Sequence, residues 1–148
     1  MLPSTVERVP QNTSEAVNEQ IRRRTEESIA RTIGSGPAAI ERRLRELDEE
    51  WDTERLLEAN ASSIMLVGLV LGTTANRKFL LLPAAVAAFL LMHALQGWCP
   101  PLPMLRRLGV RTQPEIEYER YSLKAWRGDF RRMSSGETNV PSPANSAT

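Results

Sequence analysis

The chain has 148 residues, of which 41% are apolar and 25% are charged, and its formal net charge is +1. This balance gives no electrostatic basis for nucleic-acid binding. Because there is one cysteine and one histidine, a disulfide framework and a zinc site built from Cys and His are excluded, and no metal or other cofactor is expected.

Charge divides the chain into five segments, since it is concentrated in the flanks and nearly absent from the centre. Residues 1–13 and 131–148 are rich in Pro, Ser, Asn and Thr and are predicted to be a disordered lead-in and tail. Between them we expect charged amphipathic helices over 14–58, a two-span transmembrane hairpin with an interfacial exit over 59–111, and an amphipathic helix over 112–130. The predicted fold class is all-α.

Two helices are predicted in the first charged segment. The first begins after Ser14, a good N-cap, and ends near Gly34; its apolar positions recur at multiples of four at Val17, Ile21, Ile29 and Ile33. Pro37 suits the first turn of the second helix, whose apolar stripe consists of Ile40, Leu44, Leu47 and Trp51. That stripe could lie on a membrane surface or pair with a partner helix, and its excess of acid favours pairing.

Two apolar runs, 59–75 and 79–98, form the centre of the chain, and Arg77 and Lys78 between them are its only charged residues. As helices they would reach roughly 25 and 30 Å, close to the thickness of the hydrocarbon layer. A soluble protein would have to bury both runs on every side, and the charged flanks offer only narrow apolar stripes. The pattern therefore favours a transmembrane hairpin.

Small residues spaced four apart occur in both spans, as Gly68 and Gly72 in the first and Ala84 and Ala88 in the second. Such spacing places both residues on one helix face and allows close approach of another helix. Two interpretations stay open: the faces pack together within the hairpin, or Gly68 and Gly72 form a homodimer contact.

The distribution of basic residues predicts the orientation of the hairpin. Within about twenty residues of the spans, seven lysines and arginines lie in the flanks and two lie in the turn. The positive-inside rule then places both termini in the cytoplasm. Pro83 would break a helix that began at Phe79, so we expect it in the first turn of the second span.

His93 is the only ionisable group within the second span. An ionisable residue inside a membrane segment is a functional candidate. Lying about one turn from Trp98, it is more simply explained as a neutral, hydrogen-bonded group near the interface.

The exit from the second span reads Gly-Trp-Cys-Pro-Pro. Trp98, Arg106 and Arg107 are predicted to anchor this region at the membrane interface. Cys99 is the thiol candidate: Arg106 or Arg107 could lower its pKa by folding back, although the C-terminal helix dipole would oppose this. The alternative is a small residue packed beneath Trp98.

After this exit, Thr112 and Glu115 form a capping box with Pro114 in the first turn, which predicts a helix reaching about Phe130. Its apolar residues lie on one side, and we expect them to pack against the stripe of the second N-terminal helix. They are Ile116, Leu123, Trp126 and Phe130.

The Gly-Trp-Cys-Pro sequence, followed by Leu-Arg-Arg-Leu-Gly-Val-Arg-Thr, resembles a bacterial inner-membrane family, the YgaP-like transmembrane domain. The resemblance covers residues 60–112. It implies a two-helix inner-membrane protein that dimerises through its helices, and it makes Cys99 the candidate for sulfur chemistry, because some members are fused to a rhodanese. This chain has no second cysteine and no rhodanese active-site loop, so the resemblance implies no sulfurtransferase activity of its own.

The sequence therefore predicts a non-enzymatic scaffold or interaction module in the bacterial inner membrane. Its expected partners are the lipid bilayer, a second copy and a cytoplasmic protein, with no nucleic acid. The alternative is an accessory thiol-handling protein that uses Cys99 together with a separate sulfurtransferase.

Overall fold

The computed structural model describes residues 6–130, and the predicted disordered tail over 131–148 lies outside this range. All regular elements of the described part are helical, which confirms the all-α class. In chain order they are α1 (Arg8–Gln11), α2 (Glu15–Gly34), α3 (Pro37–Glu49), α4 (Thr53–Thr74), a 3₁₀ turn (Arg77–Leu80), α5 (Leu81–Gln96), α6 (Leu102–Arg107) and α7 (Gln113–Arg127).

Helices α2, α3 and α7 pack together into what we call the extramembrane bundle. The apolar stripe of α3 meets that of α7, as expected, in a core to which Ile29 and Ile33 of α2 add; it contains Ile40, Leu44, Leu47, Ile116 and Leu123. Trp51 does not join this core. It follows the end of α3 and is exposed, with the guanidinium of Arg55 4.4 Å from its ring centroid.

The start of α7 follows the prediction. The Glu115 carboxylate accepts a hydrogen bond from the Thr112 backbone N–H at 2.7 Å, which is half of the reciprocal capping arrangement. The helix ends at Arg127, three residues earlier than predicted, where Gly128 adopts a left-handed conformation (φ 87°) that glycine tolerates best.

The prediction that residues 1–13 form a disordered lead-in is wrong for residues 6–13, the part of this segment that the structure describes. Residues 8–11 form α1, and Val9 is buried beside Leu57 and Leu102. The Arg8 side chain donates to the carbonyl of Ala94 at 2.9 Å and forms an ion pair with Glu54. These contacts with α4 and α5 hold the segment in place, and sequence periodicity could not reveal them because α1 is only one turn long.

The hairpin consists of α4, the 3₁₀ turn and α5. Asp52 caps α4 by accepting from the Arg55 backbone N–H at 2.7 Å, so the surface helix α3 does not continue into the first span. Pro83 lies in the first turn of α5, as predicted. Only 17% and 6% of the most apolar windows of the two spans are buried, which is the opposite of a soluble core. The two helices are therefore long, apolar and exposed, as transmembrane helices are.

The two glycines of α4 are buried, Gly68 against the start of α5 and Gly72 against the end of the 3₁₀ turn. A methyl group at Gly68 would lie 2.7 Å from Pro83 Cδ, and one at Gly72 would lie 2.5 Å from Leu80 Cδ2. Ala84 and Ala88 are instead exposed on α5. Of the two open interpretations, the one in which the alanines face the glycines within the hairpin is thus not met, because Pro83, Leu82 and Leu80 occupy the space beside the glycines.

A buried ion network joins the bundle to the hairpin. Glu119 of α7 is fully buried and accepts hydrogen bonds from Arg111 at 2.6 Å, Arg43 at 2.9 Å and Ser28 at 2.7 Å. Arg111 also donates to both carboxylate oxygens of Glu50, at 2.8 and 2.6 Å. Its backbone carbonyl accepts from the N–H and the hydroxyl of Thr53, the first residue of α4, at 2.8 and 3.0 Å.

These contacts determine the ionisation of Glu119. Burial alone would raise the pKa of this carboxyl group, but hydrogen bonds from Arg43, Arg111 and Ser28 outweigh it, so the pKa lies below its ordinary value. The carboxylate therefore stays charged, and its charge is compensated by two arginines.

We expect Glu119→Gln to destabilise α7, because it removes the carboxylate that pairs with the buried Arg111 guanidinium and the partly buried Arg43 guanidinium. Breaking such a contact costs about 2–4 kcal/mol, so α7 amides in lipid nanodiscs should exchange hydrogen roughly 30- to 700-fold faster. The control is Glu26→Gln, which removes an exposed partner of Arg22 and should change exchange little. Equal protection in both variants would show that the network adds nothing to stability.

Acid should weaken the same bundle. A carboxyl group whose pKa is lowered by folding contributes stability above its unfolded pKa, and this stability is lost as the pH falls toward the folded pKa. We therefore expect the unfolding temperature, followed by methyl NMR signals of Ile40 and Ile116, to be steady above the ordinary carboxyl pKa of 4.5 and to fall below it. Glu119→Gln should reduce this pH dependence; an unchanged dependence would assign it to other carboxylates.

Candidate functional site at the base of the hairpin

The chain reverses at the end of α5, and this reversal places the only cysteine. The Gly97 N–H donates to the carbonyl of His93 at 2.7 Å, and Gly97 has a positive φ of 75°. A Cβ at this position would also lie 2.5 Å from the carbonyl oxygen of Arg8. Glycine is thus required for the backbone conformation and for the contact with α1.

Cys99 lies inside a small apolar cluster at this reversal. Val9, Leu57 and Leu102 surround it, and the residue is 8% exposed. Burial raises the pKa of the Cys99 thiol, which lowers the fraction present as the nucleophilic thiolate. The surroundings are therefore those of a packed side chain.

The predicted role of Arg106 as a membrane anchor is wrong. Its guanidinium is buried and donates to both oxygens of Glu115, each at 2.7 Å, and to the Asn18 side chain at 3.0 Å. The arginine points into the protein because Glu115 offers it a bidentate partner. It therefore does not fold back to activate Cys99. Arg107 and Trp98 are exposed at the same end of the hairpin, where interface anchors would lie.

The contact with Arg106 also affects the pKa of the Glu115 carboxyl group. Burial acts to raise its pKa, but hydrogen bonds from Arg106 and from the Thr112 backbone more than compensate, so the pKa is lowered. Glu115 thus caps α7 and neutralises Arg106 with one charged group.

His93 is buried close to Cys99. Only 7% of the residue is exposed, and both ring nitrogens are buried without a hydrogen-bond partner among the described residues. The expectation of a hydrogen-bonded histidine is therefore not met by protein groups.

His93 and Cys99 line one cleft of about 400 Å³ between the hairpin and α6. Its walls are mostly apolar: Ile64 comes from α4, Phe89 from α5 and Met104 from α6. The imidazole, the thiol and the Asn60 amide are its polar side chains. We call this space the base cleft. It could hold a small apolar or amphiphilic molecule, and among residues 6–130 no group of three His, Cys, Asp or Glu could hold a metal ion.

Sequence reasoning missed the buried ion network. One signal was present: Glu119 lies between Ile116 and Leu123 on the face that α7 buries. A charge at a core position indicates a buried partner, but its partners Arg43 and Arg111 are distant in sequence. Only the fold brings the three together.

Comparison with known proteins supports the assignment of the hairpin. Residues 52–115 match the family model described as inner membrane protein YgaP-like, transmembrane domain. No curated protein and no solved structure matched the chain. The matched range starts at Asp52, the cap of α4, and ends at Glu115, the partner of Arg106, so it covers the hairpin together with its exit. Residues 52–115 are thus a YgaP-like inner-membrane transmembrane domain.

Proposed function

We propose that the protein is a non-enzymatic membrane scaffold, in which the hairpin holds the extramembrane bundle rigidly at the cytoplasmic face of the inner membrane. The observation that carries this proposal is the joint between the two parts. The Arg111 side chain contacts Glu50, the residue that follows α3, and Glu119 of α7, and its backbone carbonyl contacts the first residue of α4. A rigid joint of this kind fixes the orientation of a bundle with respect to the bilayer.

The surroundings of Cys99 favour the scaffold over the thiol-handling alternative. A thiol that exchanges persulfide with a separate sulfurtransferase must be reachable and must ionise readily. Cys99 is buried and its pKa is raised. Both properties count against the alternative.

Self-association of the scaffold is best supported on the outer face of α5. Gly68 and Gly72 are covered within the chain, whereas Ala84 and Ala88 are exposed and spaced one turn apart. Small residues let helices approach closely in lipid, where packing rather than the hydrophobic effect drives association. The proposed occupant of this face is α5 of a second copy.

Ala84→Ile and Ala88→Ile should weaken the association of labelled copies in vesicles, measured by energy transfer at varied protein density. We expect a dissociation constant about tenfold larger or more, equivalent to ~1.4 kcal/mol. Ala59→Ile is the matched control, since Ala59 is an exposed alanine on α4.

Gly68→Ile tests the same proposal from the other side. It should lower the yield of folded hairpin, because a side chain would overlap Pro83, while folded molecules still associate. Association that is lost in Gly68→Ile and kept in both alanine variants would contradict the proposed α5 interface.

The orientation can be tested with single cysteines placed in a Cys99→Ser background. Ala75→Cys lies next to the hairpin turn and Glu27→Cys lies on α2, and both positions are exposed. A membrane-impermeant maleimide should label the first in spheroplasts and the second in inverted vesicles, as the positive-inside rule predicts. The reverse pattern would overturn the cytoplasmic placement of the bundle, and labelling after detergent checks that both thiols are reactive.

A further inference from the structure

The base cleft contains a buried polar group that the protein leaves without a partner. Both ring nitrogens of His93 are inaccessible and accept or donate no hydrogen bond among residues 6–130. Leaving such a buried group unsatisfied is costly, and buried polar groups in proteins nearly always have a partner. Something outside the protein chain should therefore meet the imidazole.

Water fits this position poorly. A buried water molecule usually has two to four polar partners, but the walls of the cleft around His93 are apolar, with Val86, Phe89 and Leu90 on the same helix. Besides His93 itself, the side chains that line the cleft offer a water molecule only the weakly bonding Cys99 thiol and the Asn60 amide, one N–H of which already donates to the Leu56 carbonyl of its own helix at 2.8 Å. The space suits a molecule that is itself mostly apolar.

The charges next to His93 favour a neutral occupant. No Lys or Arg lines the cleft. Arg8 is the basic side chain that acts electrostatically on His93; its charge is paired with Glu54 and one of its N–H groups donates to the Ala94 carbonyl, while its buried Nε has no hydrogen-bond partner among the described residues. No uncompensated positive group therefore remains in this part of the described chain to hold an anionic head group.

The position of the cleft indicates how such a molecule would enter. Ile64 and Phe89 line the cleft and are also exposed on the surface of the two spans. Met104, on the opposite wall, is largely exposed on α6. The cleft thus opens between the lipid-facing surface of the hairpin and the interface, and its occupant would come from the bilayer.

We propose that the base cleft binds a neutral, lipid-soluble molecule whose carbonyl oxygen accepts a hydrogen bond from the His93 imidazole and whose apolar part lies against Ile64 and Phe89. Two membrane components carry this chemistry: the acyl ester of a glycerolipid and the ring of an isoprenoid quinone. Cys99 forms one wall of the site and is covered when the site is occupied. This inference does not depend on the scaffold proposal, because it concerns a ligand site within the hairpin.

The chain suits a direct test, because His93 and Cys99 are its only histidine and its only cysteine. The full chain would be placed in nanodiscs of diether phospholipid, which has no ester carbonyl, and in nanodiscs of the matched diester phospholipid. Decylubiquinone would then be added to the diether sample. Nitrogen-15 NMR of the imidazole reports whether its N–H is hydrogen-bonded, and the rate of Cys99 labelling by N-ethylmaleimide reports whether the cleft is filled.

We expect a hydrogen-bonded imidazole and slow labelling wherever a suitable carbonyl is present. At ten times the dissociation constant, an occupant should slow labelling about elevenfold. Protection in diester lipid identifies the glycerolipid ester as the occupant, and protection only after decylubiquinone identifies the quinone. If neither the imidazole signal nor the labelling rate differs among the three samples, the proposal is overturned.

Variants at His93 show whether the imidazole recognises the carbonyl group of the occupant or only fills part of the base cleft. His93→Leu should abolish the carbonyl-dependent protection of Cys99, whereas His93→Gln, which keeps a hydrogen-bond donor, should retain part of it. Gln96→Leu is the control, since it introduces the same side chain at an exposed position one turn away and should leave protection unchanged. Full protection in His93→Leu would rule out the imidazole as the recognition group.

Discussion

The contact on which the structure depends most is the buried pair of Arg111 and Glu119. Two charges removed from water are tolerated only when each is fully compensated, and here Glu119 has Arg43 as a second partner while Arg111 has Glu50. The same Arg111 accepts hydrogen bonds from Thr53 on its carbonyl oxygen. A rotation of the bundle away from the hairpin would therefore break backbone hydrogen bonds and expose unpaired charge together. We therefore expect the ion network to favour this one orientation of the bundle.

The ends of the range that matches the family model can be compared with the partners of the buried arginines. The matched residues 52–115 supply the two buried arginines, Arg106 and Arg111. They include one acidic partner, Glu115, whereas Glu50, which follows α3, and Glu119 of α7 lie outside the matched range. The matched range thus contains the carboxylate that neutralises Arg106, although Asn18 of α2 also accepts from that arginine, whereas both carboxylates that neutralise Arg111 lie outside it. Arg111 is therefore the arginine of the matched range whose charge is compensated by the flanking segments.

The features that sequence could predict are those set by neighbouring residues. The spans, the turn at Arg77 and the helix start at Thr112 are each determined within a few residues by apolar length, proline and capping. Arg106 and α1 were misjudged because their positions follow from contacts distant in the chain. Nothing near Arg106 distinguishes an arginine that reaches lipid head groups from one that turns inward. Its partner Asn18 lies in α2, far away in sequence. The base cleft was likewise beyond prediction, since three separate segments enclose it.

Cys99 and His93 illustrate how burial changes the meaning of a residue that looks reactive in sequence. For the thiol, apolar surroundings suppress the charged form that sulfur chemistry requires, and the simplest role is to form a wall. For the imidazole, the same surroundings leave both ring nitrogens without a hydrogen-bond partner. A residue that only filled space would not carry this penalty, because a leucine could fill the same volume without burying a polar group. The two residues line the same cleft, but the thiol is suppressed as a nucleophile whereas the imidazole lacks a hydrogen-bond partner. The histidine, rather than the cysteine in the family-like Gly-Trp-Cys-Pro sequence, is therefore the stronger indication of a bound molecule.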